Sequence, residues 1–232
     1  MCGIAGIIDF STGVVDKHEV TGLCDTMAHR GPDDSGVYVD RNVGLGARRL
    51  AVIDLSRRGH QPMSNSDGTV WIVFNGEIYN FQFLRQELQG HGYRFRSQTD
   101  TEVVLHAYQQ WGERCLERLA GMFAFAIWDA RSSKLLAARD RLGVKPFFYT
   151  TQGSRLIFAS EVHALLDLLK PSQDDIDMAS LDYYLAFGYV PPDRSIVRGV
   201  HKLPPAHSLT VQRDGLSISR YWQIEFRPTR EL

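Results

Sequence analysis

The chain has 232 residues, a formal net charge of −1, and a composition that is 44% hydrophobic and 11% aromatic. This length and apolar content suffice for a large globular domain with a sizeable core. Charges of both signs are interspersed, which argues against a nucleic-acid surface and against a basic membrane patch. We therefore expect the partner to be a small molecule or another protein domain.

Short β-rich runs separated by turn residues predict strands, in chain order, at 3–8, 36–39, 43–47, 70–74, 123–128, 134–138, 147–150 and 156–159. Apolar residues spaced three and four apart predict helices at 17–28, 79–89, 101–119, 161–169 and 178–187. Closely spaced strands favour antiparallel pairing, and few strands alternate one-for-one with helices. The pattern predicts an α+β fold in which helices cover two antiparallel sheets.

The composition of the chain changes after about residue 171. A polar stretch and a helical segment are followed by two proline pairs, then by Tyr221, Trp222 and a charged tail. We predict one domain over 2–212 and the start of a connection over 213–232.

Cysteine and histidine usage bears on cofactors and compartment. Cys2, Cys24 and Cys115 are widely spaced and form no CxxC pair, which predicts neither a disulfide framework nor a zinc site. The eight histidines show no ligand-like spacing, so we expect no metal and no cofactor in this domain. A reducing cytoplasm is the expected location. The apolar run 122–128 is too short to span a bilayer, and we expect no targeting or membrane segment.

The second residue raises the central chemical question. The chain begins MCGIAG, and removal of Met1 would leave a thiol and a free α-amine together on Cys2. Because the ordinary pKa of an α-amine is about 7.7–8.0, this residue would supply both a nucleophile and its base. The alternative is a small buried hydrophobe at the start of a strand. Retention of Met1 would make the Cys2 nitrogen an amide and remove the base.

Three further stretches carry residues suited to a site. Residues 29–36, HRGPDDSG, form a dense turn cluster with charges of both signs. Asn75-Gly76 ends a predicted strand and would place an amide beside an unshielded backbone N–H, two donors for a developing oxyanion; the alternative is an ordinary turn. Residues 139–149, RDRLGVKPFFY, alternate basic and apolar side chains. For that stretch a salt-bridged loop and a direct role both stay open.

Taken together, these motifs resemble the glutaminase domain of class II glutamine amidotransferases, which belong to the N-terminal-nucleophile hydrolases. The resemblance is closest to the asparagine synthetase branch and covers nearly the whole chain. It is carried, in order, by MCGIAG, HRGPDDSG, RRLAVIDLS, FNGEIYNF, SQTDTEV, GMFAFAIWD, RDRLGVKPFFY and DYYLAFGYVPPDRSIVRGVHKLPPAH.

The resemblance implies an αββα four-layer sandwich and a set of roles. Cys2 would attack the γ-carboxamide of glutamine, and its own amine would shuttle the protons. Asn75 and the Gly76 N–H would form the oxyanion hole. Arg49 would hold the α-carboxylate as a planar fork, and Asp100 would bind the α-ammonium.

The same resemblance implies that Glu77 and the backbone near Val52 and Ile53 complete the substrate-binding pocket. Taken one by one, these residues have ordinary alternatives. Arg49 with its neighbour Arg48 is also consistent with a solvated charged pair, Asp100 with a helix cap, and Glu77 with an acid favoured by a helix dipole.

Full-length asparagine synthetases carry a second domain that activates aspartate with ATP and Mg²⁺ through an SGGxDS loop, and this chain contains no such loop. We expect glutaminase activity alone here, with 213–232 leading to an absent ATP-dependent synthetase domain. The expected partners are glutamine, that C-terminal domain and, by analogy, a second copy in a homodimer. The alternatives are an amidotransferase domain with another ammonia acceptor and a non-catalytic module that senses glutamine.

Overall fold

The computed structural model of the chain describes residues 1–11 and 13–225. The strands are β1 (Gly3–Asp9), β2 (Asp34–Asp40), β3 (Val43–Arg49), β4 (Met63–Ser64), β5 (Val70–Ile78), β6 (Gly121–Asp129), β7 (Lys134–Arg139), β8 (Phe148–Gln152), β9 (Arg155–Ala159), β10 (Val200–Lys202), β11 (His207–Gln212) and β12 (Gly215–Arg220). The α-helices are α1 (Lys17–Thr26), α2 (Phe81–Gly90), α3 (Asp100–Trp111), α4 (Cys115–Arg118), α5 (Val162–Leu169) and α6 (Met178–Phe187).

The strands form two antiparallel sheets, as predicted. The first sheet has the order β10-β8-β9-β1-β3-β2 and the second has the order β12-β11-β7-β6-β5-β4. Because side chains alternate between the two faces of a strand, each sheet offers one face to the other sheet and one to helices.

Three buried clusters define four layers. In β1, Ile4 and Ile8 belong to the cluster between the sheets, whereas Ala5 and Ile7 belong to the cluster beneath α1 and α5. A third cluster joins the outer face of the second sheet to α2, α3 and α4. The order is therefore helix, sheet, sheet, helix, which confirms the predicted αββα sandwich.

Two predicted elements were wrong in extent. The helix expected over 101–119 is broken, because Gly112 takes φ 59° and ends α3 before the short α4 begins. The strand expected to end at residue 74 continues to Ile78, because residues 75 and 76 pair with Ala124 and Phe123 of β6. Asn75-Gly76 therefore lies inside a strand and not in a turn.

Four strands were missed, namely β4, β10, β11 and β12. The last of these lies beyond residue 212, the predicted end of the domain, and residues 226–232 at the end of the predicted connection lie outside the described residues. The division of the chain at that point stays a prediction.

Cys24 and Cys115 are both buried in the core. Burial raises the pKa of each thiol to about 12, so neither is a nucleophile near neutral pH. Over the described part of the chain, no helix has the length and apolar character needed to cross a membrane.

Candidate active site

The candidate site lies at one end of the gap between the two sheets. In β3 the row Val43, Leu45 and Ala47 faces that gap, and the next residue of the row is Arg49. In β5 the residue Val73 faces the same gap, and the period of two then brings Asn75 there. Since β1 runs antiparallel to β3, with Gly3 opposite Arg48, the chain start comes to the same place.

A cavity of about 460 Å³ occupies this end. All the predicted site residues line it, namely Cys2, Arg49, Val52, Ile53, Asn75, Gly76, Glu77 and Asp100. They come from the chain start, two strands, one loop and the first turn of α3, so folding assembles a site that is dispersed in sequence.

Cys2 is half-buried and directly precedes β1. Its Sγ lies 3.4 Å from the backbone N of Leu50, which donates to it, and Arg30 Nε donates to the Cys2 carbonyl at 2.9 Å. Burial raises the pKa of the Cys2 thiol, while the Leu50 bond, the chain N-terminus and Arg49 act in the opposite direction. A thiol in this setting needs a nearby base to become a nucleophile.

Arg30 explains part of the HRGPDDSG stretch. While its Nε holds the Cys2 carbonyl, its Nη1 donates to Glu161 at 2.7 Å. This turn cluster therefore fixes the start of β1 and does not line the cavity.

Asn75 offers an unused donor. Its side chain is 1% exposed, yet its Nδ2 has no hydrogen-bond partner within residues 1–11 and 13–225. A buried amide without a partner costs free energy, so such groups are rare in folded proteins unless a ligand uses them. The position on the cavity wall makes this amide available to a bound molecule.

The direction of the Gly76 N–H follows from the hydrogen bonds of the neighbouring residues in β5. On the edge of β5 that faces away from β6, the Phe74 N–H donates to Gln61 Oε1 at 2.6 Å and the Ile78 N–H to Asp100 Oδ2 at 3.0 Å. Alternation in an antiparallel strand sends the Gly76 N–H to this same edge, between those two bonds. A Cβ at this position would lie 2.3 Å from the Met122 carbonyl oxygen, so the close approach of β6 requires glycine.

Arg49 is buried and forms no ion pair with a carboxylate in the described part of the chain. Its guanidinium donates to backbone carbonyls of Ile53, at 3.2 Å, Asp54 and Ser56, at 3.2 Å. A Cβ on Gly59 would lie 2.1 Å from Arg49 Nη2, so that glycine makes room for the guanidinium. The neighbouring Arg48, by contrast, pairs with Asp25, so the two arginines are not a solvated pair. A fixed, positively charged fork in a cavity suits a carboxylate.

Asp100 is the first residue of α3, and the N-cap is Thr99, whose side chain accepts from Glu102 N. The Asp100 carboxylate instead reaches across to the Ile78 N–H, so its role is not that of a cap. Burial raises its pKa from 3.8 to about 6, against the opposing backbone hydrogen bonds from Ile78 and Thr101. Among the described residues Asp100 forms no ion pair with a basic side chain, and a buried carboxylate in that state suits a bound cation.

The remaining predicted residues lie at the rim. Val52 is 62% exposed, Ile53 contributes the carbonyl that accepts from Arg49, and Glu77 is half-buried two residues after Asn75 in β5. These three positions are suited to contacts around a ligand and not to the reacting atoms.

Sequence reasoning missed Gln61 and gave no role to Lys145, although both line the cavity. Gln61 is 4% exposed and bonds the free edge of β5 at Phe74. Neither residue stands out by spacing or motif chemistry, because the cavity forms only when distant segments meet.

Comparison with known proteins agrees with this geometry. The family described as glutamine amidotransferase domain matches residues 1–222. The chain belongs to this family. It is a class II glutamine amidotransferase domain. Its own sequence begins MCGIAG, with Cys2 directly after the first methionine.

Two relatives from Bacillus subtilis (strain 168) show the branch. The amidotransferase domain is 44% identical to asparagine synthetase [glutamine-hydrolyzing] 3 over 233 residues, covering 97% of this chain and 37% of the relative. It is 38% identical to asparagine synthetase [glutamine-hydrolyzing] 1 over 234 residues, covering 99% of this chain and 37% of the relative. The chain thus spans little more than a third of the length of these relatives.

A solved structure supports the fold alone. The glutamine phosphoribosylpyrophosphate amidotransferase of B. subtilis, solved with ADP and GMP, superposes with a TM-score of 0.71 at 20% identity. The match covers 96% of this chain and 50% of that chain. The superposition supports the fold of the amidotransferase domain, with its two antiparallel sheets between helices.

Proposed function

We propose that the chain hydrolyses glutamine to glutamate and ammonia through a γ-glutamyl thioester on Cys2. The observation that carries the proposal is the buried, unpartnered Nδ2 of Asn75 in the cavity that Cys2 also lines. Arg49 and Asp100, of opposite charge, line the same cavity and suit the α-carboxylate and the α-ammonium of an amino acid.

The first half-reaction forms the thioester. After removal of Met1, the Cys2 amine takes the thiol proton and Sγ attacks the γ-carbonyl carbon of glutamine. Negative charge develops on the carbonyl oxygen, where the Asn75 Nδ2 and the Gly76 N–H donate hydrogen bonds. The amine then gives its proton to the leaving nitrogen, the C–N bond breaks, and ammonia departs.

The second half-reaction regenerates the enzyme. Water adds to the thioester carbon, the amine takes one of its protons, and the same two donors stabilise the second oxyanion. The C–S bond breaks, the proton returns to sulfur, and glutamate leaves. The sum is glutamine plus water giving glutamate plus ammonia.

We propose that the ammonia acceptor binds in a further domain, which corresponds to the part of the relatives' length that this chain does not span. We infer an ATP-dependent synthetase domain that amidates aspartate to asparagine, in the cytoplasm, with a homodimer as the assembly. Within residues 1–11 and 13–225, no group of three or more His, Cys, Asp or Glu side chains is placed to hold a metal ion. We propose that ATP and Mg²⁺ serve that further domain, and no step here depends on them.

The direct test is product stoichiometry. The purified chain, shown by intact mass to lack Met1, is incubated with glutamine while glutamate and ammonia are both quantified. We expect equal amounts of the two products and no turnover of asparagine, whose side chain is one methylene shorter. Tight binding of glutamine without any product would instead support the sensing module.

A fall in pH is expected to weaken glutamine binding, because it protonates the Asp100 carboxylate. The carboxylate form binds the α-ammonium, and the pKa of Asp100 is raised to about 6, so binding is full above that pH and lost as the pH falls through it. In a Cys2→Ala variant, which removes chemistry from the measurement, the Kd for glutamine should rise roughly tenfold per pH unit on the acid side. Calorimetric titration at several pH values checks this.

The matched control is Asp100→Asn in the same background. It should bind glutamine weakly with a Kd that does not change over that pH range. A pH-dependent Kd that persists in Asp100→Asn would assign the titration to another group.

A further inference from the structure

Lys145 is a buried cation in the cavity that the mechanism above does not use. Its side chain is 5% exposed, and its Nζ contacts Met1 Sδ at 3.1 Å. Among the ion pairs of the described residues, none involves Lys145. A buried ammonium whose contact is a thioether sulfur, a weak acceptor, is expensive to keep unless it serves a purpose.

The loop before β8 holds the backbone of Lys145 in place. Asp140, 1% exposed, accepts backbone N–H bonds from Leu142 and Val144 on one oxygen and from Phe123 and Lys145 on the other. This loop therefore folds around the carboxylate of Asp140.

Arg139 closes the same loop from the other side. Its guanidinium donates to the carbonyls of Gly143, Lys145 and Leu203 at 2.6 to 2.7 Å. The charged residues of the RDRLGVKP stretch thus form neither a solvated loop nor a set of ion pairs, and the backbone of Lys145 is held at both its N–H and its carbonyl.

Removal of Met1 changes what Lys145 faces. The Met1 sulfur is separated from the Cys2 nitrogen only by the side chain and carbonyl of Met1 itself. Once Met1 is gone, the ammonium loses its contact with the Met1 sulfur, and the new α-amine belongs to Cys2, which lines the same cavity as Lys145. Two cations in one partly buried cavity repel each other, which favours the neutral form of the amine.

We propose that Lys145 is a positioning residue of the glutaminase site, whose buried ammonium keeps the Cys2 α-amine in its neutral, proton-accepting form. The inference rests on the proposed function, because it assigns Lys145 a partner that only the Met-less chain has. The neutral amine is the form that takes the thiol proton, so Lys145 acts through Cys2 and does not touch the reacting carbon.

Other charged groups surround Cys2 and set the background for the test. From the elements packed against it these are Arg30, Arg49, Glu77, Asp100 and Lys145. Arg49 donates to loop carbonyls and Arg30 to Glu161 and the Cys2 carbonyl, so both have partners of their own. Of these five residues, Lys145 is the one whose charged group contacts Met1.

The test compares Lys145→Met, which keeps the shape and removes the charge, with Lys145→Arg, which keeps the charge. In the Met-less chain, Lys145→Met should lower kcat for glutamine about tenfold near neutral pH, with KM changed less than about twofold. The acidic limb of kcat/KM against pH should move up by about one pH unit, and Lys145→Arg should restore it. Arg141→Met removes a charge from the same loop outside the cavity and should leave the limb in place.

Alkylation of Cys2 separates this proposal from the proposed function. The rate of reaction with iodoacetamide is followed against pH by mass at Cys2, without glutamine. The pH dependence should shift upward in Lys145→Met and stay as in the parent chain in Lys145→Arg and Arg141→Met.

Different results overturn the proposed function and the assignment of Lys145. A parent chain that is alkylated at Cys2 but never hydrolyses glutamine overturns the proposed function, while the shift in alkylation still reports on Lys145. Superimposed pH profiles for the parent and a folded Lys145→Met, or a loss that appears in KM alone, would overturn the assignment of Lys145.

Discussion

Replacing Cys2 by alanine is expected to reduce glutamine hydrolysis by at least about a thousandfold, since it removes the atom that forms the covalent intermediate. Alanine is small, so removal of Met1 should proceed as before. The Cys2 thiol makes only weak contacts with Leu50, at 3.4 and 3.7 Å, so little stability is at stake. Glutamate release and thermal unfolding are measured on the same preparation.

The control for this variant is Cys24→Ala. Cys24 lies on the buried side of α1 and is 2% exposed, and burial raises the pKa of its thiol to about 12, so it has no part in the chemistry. That variant should retain activity and lose some stability, the reverse of Cys2→Ala. Full activity in Cys2→Ala would refute nucleophilic catalysis by this residue.

Replacing Asn75 by alanine is expected to lower kcat by about 10²–10³, the usual cost of losing one oxyanion donor. The loss should fall on kcat and not on KM, because the hydrogen bond forms only as charge develops on the carbonyl oxygen. The stability should be unchanged or higher, because a buried amide without a partner is removed. Steady-state kinetics and denaturant unfolding check the two halves of the prediction.

Asn80, five positions along the same segment, provides the opposite case. Its Nδ2 donates to the Arg118 carbonyl at 2.9 Å, and its Oδ1 accepts from Ala120 N at 3.1 Å. Asn80→Ala should lose about 1–2 kcal/mol of unfolding free energy and keep its kcat. An Asn75→Ala variant that behaves like Asn80→Ala would make Asn75 a structural residue.

The sequence predicts the layers of this fold well, because alternation within strands and helical spacing are strong local signals. It fails where a distant partner decides the local structure. Asn75-Gly76 is a turn signal in isolation, yet pairing with Ala124 and Phe123 of β6 holds it in an extended strand. The Gly112 break in the helix expected over 101–119 was, by contrast, a local signal that apolar spacing obscured.

The site residues could be found through motifs, but their arrangement in space could not be predicted from the sequence. Spacing alone does not distinguish Arg49 from Arg48; only the fold places one in the cavity and the other on Asp25. Lys145 shows the same limit, because its burial depends on Asp140 and Arg139 folding the loop around it.

The most direct measurement is the intact mass of the purified chain before and after incubation with a diazo-ketone analogue of glutamine, with peptide mapping of the adduct. The first mass establishes whether Met1 has been removed. We predict a Met-less chain that gains one adduct, located on Cys2 and blocked by excess glutamine. A Met-less chain that stays unmodified, or one modified at Cys24 or Cys115, would contradict the assignment of Cys2 as an activated N-terminal nucleophile.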